Sequence, residues 1–228
     1  MTPEADGHRI TTLSQAVRVF FSKPGPRLIA AKVAASWARR ATLGPPRLAE
    51  LPVMAAVAAW WPLQEWLAHK HLLHLEPFEL FGRTIDPSFA STHRAHHREP
   101  RDVDHTLLPL DVLAVAIPAS AALWHLTFRD RRLAATGMAT YASAALLYEW
   151  THFLVHTGYK PRGAYFARVR RNHRNHHYKN EAYWLGFTVP HVDAWLGTEP
   201  DPRSVPRSPT ARDLHGQGDR DQARANPA

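Results

Sequence analysis

Histidine is the residue whose number and placement stand out in this chain: 16 of 228 residues. Most fall into four short clusters: His69-Lys70-His71-Leu72-Leu73-His74, His93-Arg94-Ala95-His96-His97, His152-Phe153-Leu154-Val155-His156 and His173-Arg174-Asn175-His176-His177. Neutral imidazole is a ligand for zinc, copper, iron and nickel alike, so the residue type points to metal without choosing the element. Residues three and four apart share a helical face. That places His152 beside His156, His93 beside His96 and His97, and His173 beside His176 and His177. A lone pair at such spacing arises easily by chance, whereas an order of pair, triple, pair, triple does not.

Ten imidazoles (His69, His74, His93, His96, His97, His152, His156, His173, His176 and His177) exceed one tetrahedral zinc site, which takes four ligands. They suffice for two ions. A charge-neutral nitrogen shell leaves the metals strongly cationic, which is compatible with Lewis-acid hydrolysis or with oxygen activation. The first pair is irregular. His69 and His74 are separated by roughly 140° on a regular helix and cannot share a face there. Either the helix end distorts or the two side chains reach different metals, and His71 competes for the ligand role. Glu149, three before His152, is expected to accept an imidazole N–H, with Asp102, Asp104 and Asp193 as further candidates. His8, His125 and His215 read as incidental; His105 and His191 read either as partners of a ligand ring or as interfacial groups, with a ligand role for His191 left open.

These clusters need elements to hold them. Three apolar stretches, Leu48 to Leu67, Thr106 to Phe128 and Leu133 to Trp150, come close to the roughly 20 residues a spanning helix needs. The first carries Trp60, Trp61 and Trp66, as an interfacial aromatic belt would. Buried helices of a soluble protein are the alternative reading. The mean hydropathy of −0.36 is depressed by polar tails. Residues 10–38 form an amphipathic pattern broken at Lys23-Pro24-Gly25-Pro26, lying on a membrane surface or pairing as a hairpin. Residues 199–228 offer almost nothing apolar to bury and are expected to be disordered. The expected organisation is an N-terminal segment 1–47, a histidine-rich membrane domain 48–198, and the tail.

If the three stretches cross a bilayer in turn, every histidine cluster emerges on one side, together with Lys70, Arg94, Arg98, Lys160, Arg168, Arg174 and other cations. The positive-inside bias makes that side cytoplasmic, although Arg39, Arg40 and Arg47 join Arg129, Arg131 and Arg132 on the other. No secretory leader is recognisable in residues 1–21, where Glu4 and Asp6 interrupt any apolar run. The absence of cysteine excludes disulfides and thiolate sites. The net charge of +8 suits an anionic partner, but no nucleic-acid-binding signature or aromatic-basic platform accompanies it.

From about His69 to Thr198 the chain resembles the fatty acid hydroxylase/sterol desaturase superfamily of membrane di-iron enzymes, and within it the fatty acid 2-hydroxylase branch. The resemblance is carried by His93-x-x-His96-His97-x-x-Pro100-x-Asp102 followed by Leu107-Leu108-Pro109, by Tyr148-Glu149-x-x-His152-x-x-x-His156, and by Asn172-His173-x-x-His176-His177-Tyr178 with Gly186-Phe187-Thr188, Asp193 and Leu196-Gly197-Thr198. It implies an all-α fold: a membrane-embedded bundle of three or four spanning or hairpin helices, with a cytosolic helical lobe carrying a dimetal centre. It also implies two irons (zinc being compatible with the ligands), O2 as co-substrate, a lipid substrate, and Glu149 and Tyr148 as candidate catalytic groups. Electrons would come from a separate ferredoxin or cytochrome b5-like donor, since no cytochrome b5 domain precedes the histidine-rich region. The localisation implied is an inner, plasma or ER-like membrane. Val192 stands where the family usually has Trp. Carotenoid hydroxylation and sterol or lipid desaturation are alternative outcomes of the same chemistry; a membrane protein that holds metal without catalysis is the alternative from another class.

Overall fold

Proline punctuation and capping set the first helices. The computed structural model describes residues 6–216. Thr12 and Gln15 form a capping box that starts α1 (Leu13–Ser22), satisfying backbone donors that a helix start leaves orphaned. Lys23 is extended, and Pro24 at the first helical position begins α2 (Pro24–Ala41), where its missing N–H costs nothing. The break expected near Lys23 is therefore a junction between two helices, and α2 packs along the later helix Arg131–Val155.

Four long helices make the bundle: α2, α3 (Leu51–Ala68), α5 (Leu110–Thr127) and α6 (Arg131–Val155). Their directions follow from cross-contacts. Arg40 near the end of α2 pairs with Glu50 just before α3 and donates to Thr136 near the start of α6 (3.0 Å). At the opposite end, the Leu108 amide just before α5 donates to Glu149 near the end of α6. So α3 and α6 run one way, with α2 and α5 antiparallel to them. Near the N-terminal end of α6, a methyl group on Gly137 would overlap the Trp124 ring of α5.

Of the three stretches expected to span, α5 is the one helix among the described residues that is long and apolar enough to cross a membrane. Only 6% of its 18-residue window is buried. α3 carries Pro62, Gln64 and Glu65 within it, and α6 holds Thr136, Thr140, Glu149 and Thr151, so neither meets that criterion. The remaining elements gather at the end where α3 and α6 finish. They are a hairpin of β1 (Phe78–Leu80) and β2 (Arg83–Ile85), then α4 (Ser88–Arg98), α7 (Ala164–Tyr178) and α8 (His191–Trp195). The hairpin has no counterpart in the expectation of an all-helical chain. Arg94 of α4, buried, holds the hairpin segment by pairing with both oxygens of Asp86 and donating to the Leu75 carbonyl.

Residues 199–216 are not the loose tail that their composition suggests. Val205, Ala211 and Leu214 are buried, and the segment is fastened mainly by hydrogen bonds to backbone groups, which a hydropathy pattern does not reveal. Residues 217–228 of the expected tail, and 1–5, lie outside the described residues.

Candidate metal centre

The irregular first pair is resolved by the backbone. α3 runs into a π-helical segment, His69–Leu73, whose wider turn brings residues five apart onto one face. The His69 and His74 rings come within 4.9 Å, whereas His71 points to solvent. The helix end does distort, and both side chains join the same group.

Two sets of five histidines emerge. His69, His74, His93, His97 and His176 form the first; His96, His152, His156, His173 and His177 form the second. Within each, one nitrogen per ring lies within 4.8 Å of every other. The helices divide their ligands in a regular way. The end of α3 serves the first set and α6 the second, while α4 and α7 face the gap between the sets and contribute to both. The two sets adjoin, with the His97 and His177 rings 4.3 Å apart.

The proton positions in the first set test whether a cation fits. His69, His97 and His176 direct Nδ1 at the carbonyls of Leu185 (2.7 Å), Ala211 (2.8 Å) and Tyr183 (2.9 Å). A carbonyl only accepts, so each Nδ1 carries the proton and each neutral ring leaves Nε2 bare. Yet the Nε2 atoms of His97 and His176 stand 3.1 Å apart. Two lone pairs at that distance repel, and no hydrogen bond can relieve them; a shared cation can. Burial, helped by repulsion between neighbouring rings, holds His93, His96, His173 and His177 well below the usual imidazole range. Burial likewise brings His97 down to about 3, so the rings are neutral, the form that binds metal. Other Nε2 pairs lie 2.7–3.2 Å apart. Adjacent ligands about 2.1 Å from one ion would be about 3 Å from each other, so the donor set fits two ions.

A layer of groups beyond the rings fixes them. Asp193 accepts from the Leu185 and Gly186 amides and from Thr198 Oγ1, securing the carbonyl that orients His69. Glu65 of α3 accepts from the Phe187 and Thr188 amides, Thr188 Oγ1 and Trp61 Nε1. That seats the fully buried Phe187 ring 4.9 Å from His69, 4.8 Å from His152 and 4.6 Å from His173. Asp193 is among the groups expected from the sequence to orient a ring, whereas Glu65 and Phe187 are not. The Gly186-Phe187-Thr188 motif was a usable signal for both.

Other expectations fall differently. Glu149 accepts the Leu108 amide at 3.0 Å, not an imidazole N–H; its carboxylate reaches across to the chain leading into α5. Tyr148 lies with its ring 6.0 Å from that of His152 and lines a cavity. Asp102 accepts the Asp104 amide, and Asp104 pairs with Lys23. His8, His125 and His191 are exposed, and His105 faces Asp102. His215, read as incidental, directs Nε2 at the His74 carbonyl at 2.7 Å.

Beside the first set, a cavity of about 200 Å³ runs into the bundle between α2, α3, α5 and α6. Leu73, Leu108, Leu113, Ile117, Met138 and Tyr148 line it, and His69 forms part of its wall.

A helical bundle thus carries ten histidines at one end, gathered into two sets that could each hold a metal ion. The fatty acid hydroxylase family profile matches residues 54–198, and the chain belongs to that family. It is 28% identical to the fatty acid 2-hydroxylase of Macaca fascicularis over 134 residues, 57% of this chain and 34% of that one. It is 25% identical to the dihydroceramide fatty acyl 2-hydroxylase FAH2 of Arabidopsis thaliana over 140 residues, 61% of this chain and 57% of that one. With the ceramide very long chain fatty acid hydroxylase scs7 of Schizosaccharomyces pombe it shares 29% over 148 residues, 61% and 40% of the two chains. The chain thus spans from about a third to just over half of these relatives' lengths. The solved structure of full-length scs7p, in which only the hydroxylase domain is visible, superposes with a TM-score of 0.61. That likeness covers 90% of this chain and 71% of that one at 18% identity, and is one of fold.

Proposed function

We propose that this protein is a membrane-bound dimetal monooxygenase that hydroxylates a lipid acyl chain. One observation carries the reading: two five-histidine sets lie at the end of an apolar cavity whose wall includes one of the ligands. The reaction consumes the C–H bond, O2, two electrons and two protons, and yields the alcohol and water. Iron bound by the ten histidines would supply the reductive activation of O2 that an unactivated C–H bond requires. The chain's own residues do the rest. The cavity side chains align the acyl chain and exclude water. The carbonyls of Leu185, Ala211 and Tyr183 fix the tautomers of three ligands. Phe187 packs against the rings of His69, His152 and His173, and Tyr148 borders the path to the reacting carbon. The names of the relatives support an acyl substrate, and a separate ferredoxin or cytochrome b5-like protein would deliver the electrons.

The site would lie on the cytoplasmic face, with α5 against lipid and α2, α3 and α6 partly embedded. Residues 48–198 would be the working domain. To test this, the protein is purified anaerobically in detergent, quantified for iron and zinc, and supplied with reductant, O2 and a mixed lipid extract. About two irons per chain with O2 uptake and a new hydroxylated acyl lipid is the expected result. His152→Ala and His176→Ala should each abolish turnover with helical content unchanged; activity in either would remove the ligand assignment. Two zincs and no O2 uptake after iron reconstitution would indicate a protein that holds metal without oxidising lipid.

A further inference from the structure

Residues 199–216 lie beyond the family match at 54–198, yet they reach the histidines. Glu199 accepts from Arg168 and Asn172 of α7, and the segment is fastened again beside the end of that helix. Ser208 donates its amide to the Lys179 carbonyl (2.8 Å), and Glu181 accepts from both Ser208 Oγ and Thr210 Oγ1. The Ala211 carbonyl then accepts a hydrogen bond from His97 Nδ1. Arg212 follows, donating to the His97 carbonyl (2.8 Å) and the Arg98 carbonyl, two acceptors that the last turn of α4 leaves open. Its guanidinium also lies 5.1 Å from the centre of the Tyr178 ring, at the end of α7. One side chain therefore ties together the ends of the two helices that bear the histidine triples. His215 completes the segment by bonding the His74 carbonyl, with Glu76 2.7 Å from its other nitrogen.

The residues so held, His97 and His74, belong to the first set of five. We propose that this C-terminal strap is a positioning element of the metal centre and secures the first metal subsite in particular, with Arg212 as its main fastening. The inference rests on the reading of the histidine sets as two metal sites. Partners of ligand histidines set ring orientation and tautomer, and losing them typically costs ten- to a hundredfold in metal affinity. The strap's loss therefore falls on one of two ions.

The measurement is metal per chain, and the rate of metal loss to a chelator, for the full chain, a chain ending at Arg203, Arg212→Ala and Arg212→Lys. The full chain should hold about two metals and release both slowly. The shortened chain should keep one and lose the other at least about tenfold faster. Arg212→Ala should show the same biphasic release, and Arg212→Lys, which can still donate to the carbonyls, should restore much of the slow phase. In His97→Ala, shortening the chain should leave the remaining metal's release unchanged. Uniform full-chain kinetics in the shortened chain would overturn the proposal. If the shortened chain loses its helical signal, Arg212→Ala decides: a folded variant with unaltered release refutes the strap's role. A full chain that takes up no metal fails before any truncation is compared, and takes the underlying reading and this proposal with it.

Discussion

At the scale of single residues, the clearest electrostatic feature lies at the end of the bundle away from the histidines. Arg40 and Glu50 are both buried, and Thr136 joins them. The hydrogen bond from Arg40, reinforced by Thr136 and opposed by burial, holds the Glu50 carboxyl down at about 2, against about 4.3 for a free glutamate. A depressed folded-state value means that the unfolded chain binds the proton first on acidification. The pair's contribution is whole above about pH 4.3 and disappears as pH falls through about 2. Melting temperatures of the protein and of Glu50→Gln should differ most at pH 5–7 and converge toward pH 2. A gap that stays constant across that range would mean that the carboxyl titrates alike in the folded and unfolded chain. Eight of the ten histidines were legible from spacings local to the chain, three or four residues within each triple and four between His152 and His156; His69 and His74, five apart, needed the π-helical turn. The partners of those histidines were not. Glu65 reaches Phe187 and Thr188 across more than 120 positions, and Glu149 turns to Leu108 because an unpaired backbone amide lies within its reach. His215 stands alone in sequence and meets His74 only through folding.

Elements obey close-approach rules that composition does not display. Gly137 lies where α6 meets the Trp124 ring of α5, so a side chain there must push the helices apart. Overpacking of this kind costs about 1–3 kcal/mol, and Gly137→Val should lower the thermal midpoint in detergent accordingly. A variant as stable as the parent would mean that Trp124 swings aside freely. The helix break at Lys23 was readable from Pro24, whose ring dictates a helix start. The hairpin at residues 78–85 and the strap at 199–216 were not: the first is short and exposed, the second held by side chains such as Ser208 and Arg212 that meet their partners only across the fold. The N-terminal segment behaves likewise. Gly7 exchanges backbone bonds with Arg101 and Gly158 next to His156, a contact with no signature in its composition.

At the scale of the whole molecule, the fold separates two surfaces. Polar helices enclose the histidines at one end, while α5 exposes Val115, Leu123 and Leu126 along the bundle. If α5 faces lipid, a charge near the middle of its length should oppose insertion. Leu123→Arg lies toward one end, whereas Ala119→Arg is central and exposed and should cost about 2.5–3.5 kcal/mol in a membrane-insertion assay. Insertion indistinguishable from the parent would place α5 against protein or water instead. Helix order and the common side of the histidines were evident from three apolar stretches. How little of α3 and α6 meets a spanning criterion was not, because both devote buried positions to polar contacts made across the fold, Glu65 to Phe187 and Thr188, and Thr136 to Glu50.

The π-helical segment at His69–Leu73 also has the form of a one-residue insertion that the chain has absorbed as a wider turn rather than expelled as a loop. Its length is thus a reading frame for the site. Deleting solvent-facing His71 would leave His69 four positions before the histidine now at 74, a spacing that an ordinary helix also places on one face. Adding a residue there would leave no regular helical geometry to absorb the extra turn. The segment should therefore be tolerant to shortening and intolerant to lengthening, an asymmetry visible in whether both metals are retained.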